Sequence, residues 1–341
     1  MRKASFVLFA LLLSVNVLFA QKNQEIYSIG FYNLENLFDT IHDKGKNDYE
    51  YLPDGVNRWN TRKYRSKIKN MATVLNEMSA DETPMGLAAV GVSEVENIRV
   101  LKDLVNHNVL LHRQWGIVHV EGPDKRGADC ALLYNPQLFT PVASRLIPYT
   151  TADNDASYKT RGFLTVAGEL AGEKVYIIVN HWPSRYTKSF ARERAGTLVR
   201  AIKDSIVAVA PDAKIVIMGD LNDNPDDESV KNSLGAKQNI AEVKSAGDLY
   251  NPWWNILRRD RQGTFKYKGK WNIFDQIIVG GNLVGKRGAT LKFHKAQIFV
   301  RDYMLQQSGK HKGSPKRTLS GREWLDGYSD HLPVIIYLKK D

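Results

Sequence analysis

A mixed α/β sandwich is the fold class this sequence predicts, and three observations carry it. Short apolar runs of β type recur from residue 26 to the end of the chain. Two of the intervals between them carry apolar residues at helical spacing instead. Several runs also follow one another over connections too short for a helical crossover, which makes those pairs antiparallel and disfavours an all-parallel Rossmann sheet.

Taken in order, "IYSIGFY" (26–32) and "GLAAVGV" (86–92) are the first candidate strands. Between them Ile68, Met71, Ala72, Leu75 and Met78 recur on one helical face. "ADCALLYN" (128–135), "GFLTVAGEL" (162–170) and "KVYIIVN" (174–180) read as a run of strands. Ala195, Leu198, Val199, Ile202, Ile206 and Val209 then mark a long amphipathic helix closed by Pro211. "KIVIMG" (214–219), "FDQIIVG" (274–280) and "HLPVIIYL" (331–338) complete the set. The segment 281–327 is rich in Lys, Arg, Gly and Ser and reads as a long surface insertion ending in a mobile basic loop.

The 341 residues, 43% hydrophobic and 25% charged, suit a globular chain of one large domain or two small ones. Neither a linker nor an internal repeat divides them, so 21–341 is read as a single domain. Residues 1–20 are set apart: Arg2 and Lys3 precede an uncharged apolar run that ends in the small residue Ala20, the pattern of a signal peptide. The alternative is a membrane anchor, but the run is at the short limit for spanning a bilayer. No Cys follows it, which excludes a lipoprotein anchor. A periplasmic or secreted protein without stable membrane insertion is expected. Cys130 is the only cysteine, so no intramolecular disulfide forms, and its apolar neighbours mark it as a buried small hydrophobe. The formal charge of +11 attracts polyanions, nucleic acid or anionic head groups among them.

Polar residues gather at the strand ends. Asn33 and Glu35 follow the first run, and Ser93, Glu94, Glu96 and Asn97 the second. Asn180 and His181 close "VYIIV"; Asp220 and Asn222 close "IVIM". On the last two strands the order reverses, with Asp275 ahead of "QIIV" and Asp330 and His331 ahead of "LPVII". If those strands run antiparallel to the earlier ones, all six clusters meet on one edge of the sandwich. Gly, Asp, Asn and Pro also build tight turns, and "GDLNDNP" alone would pass as one. The turn reading explains one cluster; a shared site explains six.

The motifs "FYNLENLFD", "VGVSEVEN", "NHWPSR", "GDLND" and "YSDHLP", in that order, resemble the endonuclease/exonuclease/phosphatase superfamily, the deoxyribonuclease-I-like fold. The resemblance spans residues 26 to 338 and implies a four-layer α/β sandwich, two mixed β-sheets flanked by helices, with metal-dependent phosphoesterase chemistry. That chemistry needs an activated water, stabilised phosphoryl oxygens and help for the leaving oxygen. Mg²⁺ or Mn²⁺ takes carboxylate oxygens and keeps most of its waters. Glu94 is the candidate anchoring ligand with Asn33 beside it, and Glu35 and Asp330 are candidates to complete the shell. By resemblance Asp275 orients His331, and Asp220 and Asn222 reach the phosphate or the water from the other side. Asp220 and His331 are both candidates to take the water proton. His181 would polarise a phosphoryl oxygen.

Arg161 and Arg185 are second-rank candidates for binding the phosphate. His42, His107, His112, His119, His294 and His311 read as structural, as do Ser184 and Ser329. "NPWWN" (251–255) and "TFKYKGKW" (264–271) interleave aromatics with polar or basic residues, which either stacks bases or marks strands with one buried aromatic face, the reading preferred here. The leading expectation is an exported phosphodiesterase cleaving DNA or RNA. A phosphatase or lipid head-group phosphodiesterase of the same fold is the alternative, with Trp253 and Trp254 the only membrane-contact candidates. A non-catalytic binding protein on this scaffold is the third reading.

Overall fold

A computed structural model describes residues 25–155, 157–259, 262–284 and 291–340; the expected signal segment lies outside the described residues. In chain order the strands are β1 Glu25–Leu37, β2 Ala89–Val95, β3 Gly116–His119, β4 Asp129–Tyr134, β5 Phe139–Ile147, β6 Phe163–Leu170, β7 Glu173–His181 and β8 Lys214–Asp220. They continue as β9 Ala236–Lys237, β10 Leu249–Tyr250, β11 Phe265–Tyr267, β12 Lys270–Asn272, β13 Asp275–Gly280, β14 Leu291–Ile298, β15 Leu319–Ser320, β16 Glu323–Trp324 and β17 Val334–Lys340. The principal helices are α1 Thr61–Glu77, α2 Ile98–Val105, α3 Ser189–Val209 and the short α4 Trp253–Arg258.

Two mixed sheets form the sandwich, ordered β14-β17-β1-β2-β4-β3 and β5-β6-β7-β8-β13-β10-β9. In the first, β1 runs parallel to β2 and antiparallel to β17. In the second, β8 runs parallel to β7 and antiparallel to β13. The carboxyl ends of β1, β2, β7 and β8 therefore share one rim with the amino ends of β13 and β17. This is the reversal that the order of polar and apolar residues implied.

Outer layers follow from the two helical periodicities. Asn60 caps α1 by accepting from the Lys63 amide, and the α1 face of Ile68, Met71, Ala72 and Leu75 joins the core around the first sheet. Ala195, Val199, Ile202 and Ile206 of α3 pack on Ile178, Ile215, Ile217 and Ile278 of the second sheet. Each fully buried side chain of this size contributes roughly 1.5–3 kcal/mol. Between the sheets, a Cβ on Gly91 would stand 2.4 Å from Met218 Sδ and 3.0 Å from a Val179 methyl, so only glycine lets β2 sit this close to β8 and β7.

Two sequence expectations need correction. Residues 251–255 are not a strand: Asn251 Oδ1 accepts from the Trp253 amide at 3.0 Å, and this side-chain turn opens α4. Trp253 and Trp254 are both buried, with the Trp253 indole donating to the Ile277 carbonyl, so neither forms an exposed membrane contact. The segment 281–327 is not wholly a surface insertion either. Residues 291–298 form β14, which pairs with β17 at the edge of the first sheet. A register shift between Phe293 and Lys295 breaks the alternation that would have marked this strand in the sequence.

Candidate active site

The shared rim gathers Asn33, Glu94, His181, Asp220, Asp275 and His331. The position of Glu94, and that of Glu35 nearby, depends on irregular backbone. The register of β1 with β2 slips between Asn33 and Leu37, and that of β2 with β4 between Ser93 and Val95. Within those bulges Glu35 and Glu94 take left-handed conformations, with φ 46° and 59°. A bulge re-aims a side chain at a strand end, and such conformations cost about 1–3 kcal/mol for a residue with a side chain. Asn222, beyond β8, is also left-handed at φ 52°. Gly219 has no room for a Cβ, which would meet the Asn180 carbonyl oxygen at 2.3 Å. Its smallness brings β8 against the end of β7, where Asp220 pairs in register with His181.

Hydrogen bonds fix the centre. Asn33 Nδ2 donates to Glu94 Oε1 at 3.2 Å and to Asp220 Oδ2 at 3.0 Å, while the Asn36 amide donates to Glu94 Oε2 at 2.9 Å. His181 Nε2 stands 3.7 Å from both Glu94 Oε1 and Asp220 Oδ2. His331 Nδ1 bonds Asp275 Oδ2 at 2.7 Å, and its Nε2 faces Asp220 Oδ2 at 3.8 Å. Asp220 Oδ1 accepts from the Asn222 amide at 2.9 Å, and the Asn222 side chain donates to the Trp182 carbonyl at 3.1 Å. The Asp275 side chain is fully buried, whereas Glu94 retains 17% of its side-chain exposure, so the centre opens to solvent at Glu94.

Burial and charge divide the protonation states. Burial, with Arg161, Arg126 and His331 nearby, holds His181 well below the usual imidazole range, so it is neutral. Burial also opposes a charge on His331, but Asp275 and Asp220 outweigh it and hold its imidazolium well above the usual range. Asp220 is lifted above ordinary carboxylates by burial, against the opposing pull of His331 and with Asp275 adding to the rise.

Two sets of ligating atoms lie within 4.8 Å of one another, Glu94–His181–Asp220 and Asp220–Asp275–His331. The first set fits a hard divalent cation: two carboxylates and the neutral His181 imidazole, without thiolate. In the second set the Asp275–His331 bond is already made, which leaves Glu94 and Asp220 as the first candidates to hold the ion; Asn33, expected as a ligand, faces them with its NH2, because its Oδ1 accepts from the Glu35 amide at 2.9 Å.

The remaining expected residues are placed differently. Glu35 accepts from the Thr318 amide at 2.6 Å and from Arg317 at 3.2 Å, and lies 3.8 Å from the fully buried Lys67 ammonium. Asp330 Oδ1 is 4.0 Å from His331 Nε2, but its other oxygen accepts from Arg317 at 2.9 Å. Arg161 bonds Asp124 and the Trp182 carbonyl, and its buried Nε has no partner. Arg185 is taken up by Asp223, Asp227 and the Asn222 carbonyl. Arg317, Lys67 and Thr264 were missed in the sequence; Thr264 Oγ1 accepts from the Asp275 amide at 3.2 Å and helps set that strand end. Ser329 Oγ bonds the Asn33 carbonyl and accepts from the His331 amide, a structural role.

The chain matches the Endonuclease/Exonuclease/phosphatase family over residues 28–340, and it belongs to that family. It is a phosphoesterase of this class, with a buried candidate metal site. Among solved structures, D. rerio TDP2 complexed with single strand DNA product is 15% identical, with a TM-score of 0.55 over 92% of this chain and 98% of that one. The human Nocturnin catalytic domain with bound sulfate anion is 16% identical, with a TM-score of 0.55 over 94% and 98%. The mannosyl-6-phosphatase of Bacteroides thetaiotaomicron is 14% identical, with a TM-score of 0.57 over 92% and 99%. At such identities the likeness shows the fold alone. No curated protein matches the chain.

Proposed function

We propose that this protein is an exported, Mg²⁺- or Mn²⁺-dependent phosphodiesterase acting on nucleic acid, with a signal peptide over 1–20 and one catalytic domain over 21–341. The observation that carries the chemistry is Asp220, whose Oδ2 receives Asn33 Nδ2 and lies within 3.8 Å of both His181 and His331. Glu94 and Asp220, steadied by the Asn33 NH2, would hold the cation, which would supply Lewis-acid polarisation of the phosphoryl group and a water of lowered pKa. Asp275 holds Nδ1 of His331 and orients the ring, so Nε2 is the nitrogen turned toward Asp220. The Asp220–His331 pair takes up the proton of the attacking water. Neutral His181 donates to a phosphoryl oxygen, and Asn222 orients the group on the far side.

Nucleic acid is favoured by the excess of basic residues and by the DNA product in the TDP2 relative of the same fold. A phosphatase acting on a small monoester is the second reading, which the mannosyl-6-phosphatase relative favours. The lipid reading loses support, because Trp253 and Trp254 are buried. The test is hydrolysis of plasmid DNA and of bis(p-nitrophenyl) phosphate with Mg²⁺, Mn²⁺ or EDTA, with His331→Ala as control. Cleavage of both that needs metal and His331 is expected. Release of phosphate from monoesters with both diesters untouched would replace the diesterase reading by the second.

A further inference from the structure

A cavity of about 450 Å³ adjoins the catalytic rim and takes no part in the chemistry above. One wall is the β11–β12 hairpin; the other is the loop from Gln306 to Arg317. The hairpin is fastened to the centre at its base. Phe265 bridges to His331, their rings 4.8 Å apart, and the Leu332 amide donates to the Thr264 carbonyl at 2.8 Å. Alternation puts Phe265 and Tyr267 on the same face of β11, about 7 Å apart along the strand. Phe265 is held between His331 and Phe274, whereas Tyr267 is 58% exposed, with the Lys268 ammonium 5.4 Å from its ring centre.

Charge on the walls is one-sided: Lys266, Lys268, Lys310 and Arg317 against Asp330, which Arg317 already pairs. The Lys310 ammonium has no ion-pair partner among the described residues. An exposed ring beside uncompensated cations, one step from the scissile position, matches a nucleotide: the base stacks and its phosphate is neutralised. A duplex keeps its bases stacked on one another and offers none to a single side-chain ring.

Resting on the phosphodiesterase reading above, we infer that the cleft between the β11–β12 hairpin and the 306–317 loop is a subsite for an unpaired nucleotide flanking the scissile phosphate, stacked on Tyr267 and neutralised by Lys268 and Lys310. The substrate strand then runs from the centre along the hairpin, past Phe265 to Tyr267.

The test measures binding apart from turnover. Fluorescence anisotropy of a labelled ten-nucleotide single strand is recorded in EDTA for the native protein, Tyr267→Ala and Lys268→Glu/Lys310→Glu, with a duplex and vesicles of anionic phospholipid as competitors. Loss of stacking is expected to weaken binding of the single strand by about tenfold in Tyr267→Ala. The double charge variant should also flatten the dependence of log affinity on log salt, its slope falling by about 0.7 for each phosphate no longer neutralised. An equal affinity of native and variant proteins for the strand overturns the subsite, as does vesicle binding that displaces the strand and depends on Lys310. Hydrolysis of bis(p-nitrophenyl) phosphate reports separately on the parent reading: its absence alongside Tyr267-dependent binding removes the chemistry and keeps the subsite.

Discussion

The two halves of the catalytic centre are held in opposite ways. Asp275 opens β13 and His331 lies on the lead-in to β17, both buried and hydrogen-bonded to each other. Glu94 sits in a bulge, left-handed and partly exposed, aimed by the Asn36 amide and the Asn33 side chain. Ordinary strand geometry positions the first half, and its strength lies in a short charge-assisted bond. The second half depends on a costly backbone that only its neighbours sustain. On the proposed mechanism the buried pair handles the proton, and Glu94 holds the ion at the open side of the centre, where substrate arrives.

Asp275→Asn breaks the first half and carries the largest expected effect. Turnover on bis(p-nitrophenyl) phosphate should fall by about 10²- to 10⁴-fold, the range for losing acid–base assistance. The same variant has a pH signature in metal-free protein. His331 binds its proton more tightly folded than unfolded, so its stabilisation is complete below about pH 6.5 and fades as pH rises through the higher folded value. Without Asp275 that fading should move to lower pH, visible in Tm measured across the range and in the imidazole signals by NMR. An unmoved His331 titration would mean that Asp275 does not govern it.

Glu94→Gln addresses the other half. Calorimetric titration with Mn²⁺ should show at least about tenfold weaker binding, with activity partly restored at high metal. Unaltered affinity would move the ion away from Glu94. The smallest effect is expected at Asn222→Gly. Relief of the left-handed strain, about 1 kcal/mol, offsets loss of the bond to the Trp182 carbonyl, also about 1 kcal/mol. Tm should hardly change, so any fall in turnover reads the amide's part in the chemistry alone.

What the sequence disclosed follows the same division. Regular strands announce themselves by apolar runs, and the inverted order around Asp275 and His331 was enough to place six clusters on one rim. The bulges left no local signal, so proximity of Glu94 to the centre was readable but its aim was not. Glu35 read as a metal-shell candidate because it follows a strand; its partners Arg317 and Thr318 lie some 280 residues away, in a stretch whose composition resembles a loop. Edge strands β3, β5 and β14 escaped because their half-exposed residues dilute the apolar pattern. The hairpin at 265–272 alternates as a strand should, but its aromatic ring at Tyr267 faces outward, which alternation alone cannot tell.

The position of β17 ties closure of the first sheet to completion of the site. It lies between β1 and β14, so the first sheet closes only when Val334–Lys340 slots between strands made far apart in the chain. His331 arrives on the lead-in to that strand. Asn33, Glu94, His181, Asp220 and Asp275 all precede it in the chain, so the imidazole that pairs with Asp275 is the last of the cluster to be added.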